Sequence, residues 1–305
     1  MPHITPAVKT MKLFNDCIEV DQGSMYRQNL GRVILHVEDA YRPADGGFRT
    51  HLGVSMIGEE CNAKLFYNFR WATKPHFDGR TMRLFNRGHL EEARFIALLL
   101  TANMQVYQQD QSGSQFRISF RGGHFGSACD GFVIGCPDLA NPNTPILTEM
   151  KTHNQKSFDS VKSKGVQESK PEHYDQMQVY MKSFATPVCL YLATCKNNDE
   201  IWAELVYLDP EHADQRIDKG IRITTLNEPP ARISNSPSFF KCKWCEHNDV
   251  CHRGKMPEVN CRTCRYSETC DDGTWRCNLG NVTIDKERQN LACESYTPAH
   301  YYGKQ

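Results

Sequence analysis

The stretch from Gly126 to Lys151 carries the residues best suited to chemistry. It reads GSACDGFVIG, CPDLANPNTP and then ILTEMKT, with an acid beside glycine at Asp130 and, later, Glu149, Met150 and Lys151. Apolar residues around Asp130 and again around Ile146 predict two strands, and the Pro/Asn-rich segment between them predicts a loop, so the unit reads as a hairpin. Side chains alternate faces along a strand, which puts Glu149 and Lys151 on one face and Met150 on the other. A carboxylate and an ammonium then emerge side by side, with Asp130 on the neighbouring strand close enough to share an ion. Two carboxylates make a hard oxygen site that suits Mg²⁺ or Mn²⁺, and the Met150 carbonyl is a further oxygen at the same place. A lysine beside that ion can orient or deprotonate a water and steady developing negative charge. Metal plus activated water is the equipment for hydrolysing a phosphodiester. An ordinary surface ion pair on a hairpin would show the same three residues, so the surrounding chain has to decide.

The elements that must position these groups lie on either side. Upstream, RGHLEEARFIALLL (residues 87–100) reads as part of a helix from about Met82 to Gln108, with His89 and Glu92 three apart on one face. Glu92 is placed to complete a metal shell, directly or through water, and Glu91 is the alternative acid. Downstream, PEHYDQMQVYM (residues 171–181) reads as a helix with Tyr174, Met177, Met181 and Phe184 in a buried stripe and Gln176 and Tyr180 on a neighbouring face. Together these motifs resemble the PD-(D/E)XK nuclease superfamily, over roughly Ser55 to Cys251. Gly88 and Glu92 look like the first motif of its phage-exonuclease and RecB-like branches, and Gln176 and Tyr180 match the Gln-x-x-x-Tyr motif of the RecB-like enzymes. The resemblance implies a Mg²⁺- or Mn²⁺-dependent deoxyribonuclease. Glu92, Asp130 and Glu149 would bind metal, Lys151 would position the water, and Gln176 and Tyr180 would help hold substrate or water. It also suggests His89 as a further ligand, although the spacing differs here.

Composition is ordinary for a globular chain of 305 residues, with a formal net charge of zero. Any nucleic-acid surface must therefore be local. The opening MPHITPAVKT lacks the apolar run of a signal peptide, and the aliphatic run IALLL is too short to span a bilayer, so a cytoplasmic protein is expected (host cytoplasm if phage-encoded). Met25 to Tyr41 predicts a helix ended by turn residues at 42–47. Ser55 is the expected cap of a short helix containing Cys61. From Lys64 to Arg94 seven basic residues face three acids, interleaved with aromatic side chains. Arg70, Lys74, Arg83 and Arg87 are the expected DNA contacts among them. Lys156, Lys162 and Lys164, in the polar stretch after Lys151, are further candidates; that stretch reads as a helix or a mobile loop. Residues 115–120 read as a strand, Arg121 to His124 as a turn, PVCLYLATCK and IWAELVYL as two strands, and Asp209 to Thr225 as a helix. This order predicts an α/β (α+β) fold with a mixed central sheet flanked by helices, restriction-endonuclease-like by resemblance, and a small C-terminal cysteine-rich appendage.

Fourteen cysteines are present, eight of them after residue 241. Clustered pairs of this kind read as metal ligands rather than disulfides, whereas most of the scattered Cys17, Cys61, Cys129, Cys136, Cys189 and Cys195 read as small buried hydrophobes. Cys242, Cys245 and Cys251 form CxxCx₅C, and Cys261, Cys264 and Cys270 repeat the spacing nineteen residues later. The resemblance, to Cas4-like and AddB-like enzymes in particular, implies that Cys61 joins Cys242, Cys245 and Cys251 around a structural [4Fe–4S] cluster. Zinc with His247 or His252 as fourth ligand is the competing reading. Cys261, Cys264, Cys277 and Cys293 are the choice for a zinc ribbon, with Cys270 as the spare. The expected domains are an N-terminal helical region (1–54), a nuclease core (55–255) and a zinc-ribbon appendage (256–305). By resemblance the chain would process DNA ends in phage or bacterial recombination, repair or replication, alongside a single-strand annealing or replication protein. A structure-specific endonuclease and a non-catalytic nucleic-acid-binding module are the alternatives.

Overall fold

The computed structural model describes residues 3–37, 40–41 and 48–303. In chain order the elements are β1 (Ile4–Pro6), α1 (Val8–Val20), α2 (Ser24–Val33), β2 (Leu52–Gly53), α3 (Asn62–Phe69), α4 (Gly79–Thr101), β3 (Gln105–Tyr107), β4 (Arg117–Phe120), β5 (Phe125–Ala128), β6 (Phe132–Ile134), β7 (Ile146–His153), α5 (Gln155–Ser169), α6 (Pro171–Ser183), β8 (Val188–Cys195), β9 (Ile201–Tyr207), α7 (Pro210–Thr225), α8 (Phe240–Lys243), α9 (Asn248–His252), β10 (Ser267–Thr269), β11 (Trp275–Cys277), β12 (Val282–Ile284) and α10 (Lys286–Leu291). The chain folds as two compact units. The first holds Met1–Asp45, Phe77–Ile118 and Ala128–Asp214; the second holds Gly46–His76, Ser119–Ser127 and Gln215–Gln305. This partition cuts across the three consecutive domains expected from the sequence.

The first unit is a mixed α/β structure with a six-stranded sheet in the order β1-β9-β8-β7-β6-β3. β7 and β8 pair in parallel, and β6 pairs with β7 antiparallel. A parallel pair needs a long crossover, which α5 and α6 provide. The two central strands are buried along most of their length, which accounts for the nearly continuous apolar run of β8; β7 instead carries polar groups into the interior. One sheet face builds the core. Ile146 and Met150 of β7 meet Leu190 and Leu192 of β8, Leu205 of β9, Phe95, Ile96 and Leu99 of α4, and Phe14 of α1. Glu149, Lys151 and His153 alternate with these residues and lie on the other face.

Several expected bounds move. The helix expected over 25–41 is shorter, ending at Val33 before a 3-10 turn at Ile34–His36, and the turn expected at 42–47 lies outside the described residues. The first helix, α1, had no counterpart in the sequence reading. α4 begins at Gly79, where the Asp78 carboxylate accepts the Thr81 N–H at 2.7 Å, and it ends at Thr101 rather than running to Gln108. Asn103 there takes a left-handed φ of 57° and turns the chain into β3. Ser55 sits in a 3-10 turn and caps no helix; Cys61 is the residue that precedes α3. In the second unit β10, β11 and β12 form an antiparallel sheet, and β2 pairs in parallel with β5. All fourteen cysteines are free thiols, and Cys129, Cys136, Cys189 and Cys195 are buried as expected, with Cys17 half-buried. Among the described residues no helix is long and apolar enough to cross a membrane.

Candidate active site

The site is built on β7. Its register requires acceptors for the N–H groups that face β6, and two of them come from the Asp130-Gly131 pair just ahead of β6. The Gly131 carbonyl accepts the Thr148 N–H at 2.9 Å, and the Asp130 carboxylate accepts the Met150 N–H at 2.7 Å. The Asp130 side chain thus stands in for a main-chain acceptor, which aims it at β7. Gly131 has a φ of +124°, and a Cβ there would lie 2.4 Å from the Tyr107 carbonyl oxygen of β3. Only glycine fits this backbone and this approach.

Glu149 is fully buried, and Lys151 Nζ contacts its Oε1. Its second oxygen, Oε2, has no hydrogen-bond partner. Burial pushes the Glu149 carboxyl up to about 7; Lys151 opposes this rise and Asp130 adds to it. Burial works against the Lys151 charge, but Glu149, Asp130 and Glu92 outweigh it and hold the ammonium above its ordinary pKa. Glu92, half-buried on α4, therefore lies within the field of the same lysine. Its neighbour Glu91 is buried and paired with Arg94 at 3.1 Å. His89 is exposed on α4.

Gln176 and Tyr180 are buried on α6. The Tyr180 hydroxyl donates to the Ala128 carbonyl at 2.6 Å, and Gln176 Nε2 lies 3.4 Å from that hydroxyl. They brace the chain two residues before Asp130. Next to them is a group that the sequence reading missed. His153 Nε2 and His173 Nδ1 lie 2.8 and 3.0 Å from the Tyr191 hydroxyl, and His153 Nδ1 lies 3.0 Å from Ser157 Oγ. Burial, then nearby lysines including Lys151, hold His153 at about 4 and His173 at about 2. Tyr191 is the partner of Glu149 in the β7–β8 register. The alternation that paired Glu149 with Lys151 also points to His153 and could have found it.

The expected DNA contacts divide. Arg70 is buried in the second unit and donates to the carbonyls of Ser267 at 3.0 Å and Leu226 at 2.8 Å. Its reading as a DNA contact is corrected: the neighbouring aromatic rings cover the guanidinium. Lys74, Arg83, Arg87 and Lys156 are exposed, with Arg87 donating to the Lys196 carbonyl at 2.9 Å. Lys162 is paired with Glu200, and Lys164 with Glu168 at 3.0 Å.

In the second unit Cys61 acts on three other cysteines, and a further three act on Cys261. Burial and then, among other charges, Cys61 raise Cys242, and likewise Cys245 and Cys251 to about 11. Burial and then Cys293, Cys264 and Cys277 push Cys261 up to about 11. His247 is buried; its Nε2 lies 2.9 Å from Asn68 Oδ1, and its Nδ1 has no partner. Among the described residues no three His, Cys, Asp or Glu side chains converge closely enough to hold one ion.

No family model matches the chain, and no curated protein matches it. Three solved structures are similar in part. The exonuclease LHK-Exo in complex with dAMP is 16% identical, covers 57% of this chain and 86% of its own, and has a TM-score of 0.41. The alkaline exonuclease LHK-Exo from Laribacter hongkongensis is 15% identical over the same shares, with a TM-score of 0.40. The protein SSO0001 is 14% identical, covers 75% of this chain and 97% of its own, and has a TM-score of 0.36. At these scores the overlap is loose, and the functional reading rests on the side chains.

Proposed function

We propose that the chain is a divalent-metal-dependent deoxyribonuclease that hydrolyses phosphodiester bonds from DNA ends. One observation carries this reading. A buried carboxylate oxygen, Glu149 Oε2, has no partner, while Asp130 and Lys151 act on the same carboxyl group. An orphaned buried carboxylate oxygen costs free energy, and a hard cation is the ligand that would satisfy it. Asp130 and Glu149 would hold Mg²⁺ or Mn²⁺, with the Met150 carbonyl and Glu92 (directly or through water) as further oxygen donors. Exposed His89 is the weaker candidate. When bound, the ion would polarise the phosphoryl group and lower the pKa of a water.

The chain's own residues do the rest. Lys151 holds a proton at Nζ beside the attacking water and neutralises charge that builds on the phosphate. Tyr180 and Gln176 keep the Asp130 segment in register. Lys74, Arg83, Arg87 and Lys156, being exposed, are the DNA contacts. Lys162 and Lys164 would have to leave their acids to join them.

Cys61, Cys242, Cys245 and Cys251 would hold a structural [4Fe–4S] cluster. Their CxxCx₅C spacing, with Cys61 upstream, is what supports this assignment. Zinc with His247 or His252 is the rival, and the free Nδ1 of His247 keeps it open. Cys261, Cys264, Cys277 and Cys293 remain the choice for zinc, and would have to draw together to bind it. A single-strand annealing or replication protein is the expected partner, and recombination, repair or replication of bacterial or phage DNA the setting.

The test is digestion of end-labelled linear DNA and closed circular DNA with Mg²⁺, with Mn²⁺ and with chelator, using wild type and Lys151→Ala. Metal-dependent loss of linear DNA alone, abolished in the variant, is expected. Cutting of circles would replace the exonuclease with an endonuclease. No cleavage by protein with its metals intact would overturn the enzymatic reading.

A further inference from the structure

The most exposed aromatic side chains of the second unit lie close in sequence, on and just after α8. Trp244 is 80% exposed and Phe240 64%, whereas Trp71 and Trp275 are each only 1% exposed. Phe240 and Trp244 are four residues apart, Phe240 opening the four-residue α8 and Trp244 following its last residue. Each carries a lysine over its ring. Lys243 Nζ lies 5.2 Å from the Trp244 centroid, and Lys241 Nζ 5.8 Å from the Phe240 centroid. Lys241 also pairs with Glu60 at 2.6 Å. Phe239 backs Phe240, with ring centroids 4.7 Å apart. Between Glu228 and Glu246 the chain has three basic residues, Arg232, Lys241 and Lys243, and no acid.

Trp244 is 80% exposed, and Phe240, though backed by Phe239 on one side, still leaves 64% of its surface open, so packing does not account for the two together. Two aromatic faces interleaved with ammonium groups on an acid-free stretch are the chemistry that grips a nucleic-acid strand: rings stack on bases and cations follow the phosphates. The choice of strand follows from access. A ring can stack only on a base whose face is uncovered, which an unpaired strand offers and a duplex hides. A protein partner fits less well, because lysine is depleted at the centre of protein interfaces.

We propose that Phe240 and Trp244, with Lys241, Lys243 and Arg232, form a stacking platform for unpaired nucleotides of a single DNA strand. The proposal deepens the nuclease reading and rests on it for the identity of the polymer. It names the unpaired strand as what this unit holds.

The test is fluorescence anisotropy of labelled oligothymidine and of a labelled duplex, titrated with intact protein without added divalent cation, so that nothing is cut. Trp244→Ala and Phe240→Ala should each weaken oligothymidine binding by about tenfold, since base–aromatic stacking contributes about 1–3 kcal/mol per base. Duplex binding should stay as it was. Trp244→Phe should recover most of the loss, and Lys243→Gln should flatten the salt dependence. Unchanged oligothymidine affinity in both alanine variants would overturn the proposal. So would an equal loss on duplex, or the dissociation of an oligomer in Trp244→Ala seen by sedimentation, which would make the patch a protein contact. Tight oligothymidine binding that depends on Trp244, in protein that cleaves nothing with any metal, would keep the platform and remove the nuclease. Cleavage by a protein whose strand binding ignores Trp244 would do the reverse.

Discussion

The two units bury charge in opposite ways. In the first, Glu149 is enclosed with an ammonium on one oxygen and nothing on the other. In the second, Arg262 is enclosed with an acceptor at each of its three guanidinium nitrogens. Its Nε donates to Gln289 at 2.8 Å, and its terminal nitrogens donate to the carbonyls of Phe69 at 3.0 Å and Thr50 at 2.8 Å. Its guanidinium also lies 3.8 Å from the Trp71 ring centroid and 4.6 Å from that of Trp275. Arg70 is similar. Its one nitrogen without an oxygen partner, Nε, belongs to a guanidinium stacked over Phe66 and Trp275. The arginines therefore behave as core residues, their charge spread over carbonyl dipoles and ring faces. Glu149 is left with one oxygen unpartnered. Burial alone does not separate a functional charge from a core one; the surrounding groups do, with carbonyls and ring faces around the arginines and ionisable side chains around Glu149.

That contrast can be broken at several points. The largest effect is expected in cleavage: Asp130→Asn, Glu149→Gln and Lys151→Ala should each lose about a thousandfold or more in rate. Glu149→Gln should at the same time hold or raise the melting temperature, because a buried charge is removed. A parallel loss of stability and activity would class Glu149 with the arginines. Next comes Arg262→Ala, expected to cost about 3 kcal/mol or more in urea unfolding, since three acceptors lose their donor and a cavity opens. A cost near zero would remove the structural role assigned to the buried guanidinium.

A third test uses pH. His153 and His173, depressed to about 4 and about 2 from 6.5, stay neutral while the unfolded chain takes up protons. Stability should therefore fall as pH drops from 6.5 towards 4, by on the order of 1 kcal/mol per pH unit for each imidazole. His173→Gln should flatten that slope, as read from unfolding midpoints across the range, and an unaltered slope would mean His173 is solvated. The smallest effect belongs to Tyr180→Phe, which deletes the hydrogen bond to Ala128. It should cost about 1 kcal/mol of stability, with a drop in rate well short of that for Lys151→Ala.

Strand period made β7 legible: Glu149, Lys151 and Met150 lie on the faces that alternation assigns to them. The hairpin, β8, β9 and α7 were likewise clear, because each has a long apolar run or a strong boundary. β1 was not, since three residues paired to β9 carry no periodic signal of their own. The end of α4 depends on a single left-handed residue, Asn103, inside a segment that otherwise favours helix. Arg70 was misread because arginine among aromatics describes equally a surface that stacks bases and a core in which rings cover a guanidinium. Only burial separates the two, and burial there depends on residues nearly two hundred positions away. The cysteine sets were readable as spacing, because CxxC pairs are local in sequence.

The Asp130-Gly131 pair has a consequence for mutational screens. Because the space beyond Gly131 is taken by the Tyr107 carbonyl, a methyl group there would press β3 and β6 apart and swing the carboxylate that precedes it. Position 131 would then score like a catalytic residue in a saturation library, with every replacement inactive, although glycine has no side chain to contribute. Two adjacent letters would behave as one, and a tally of intolerant sites would overcount the reacting groups.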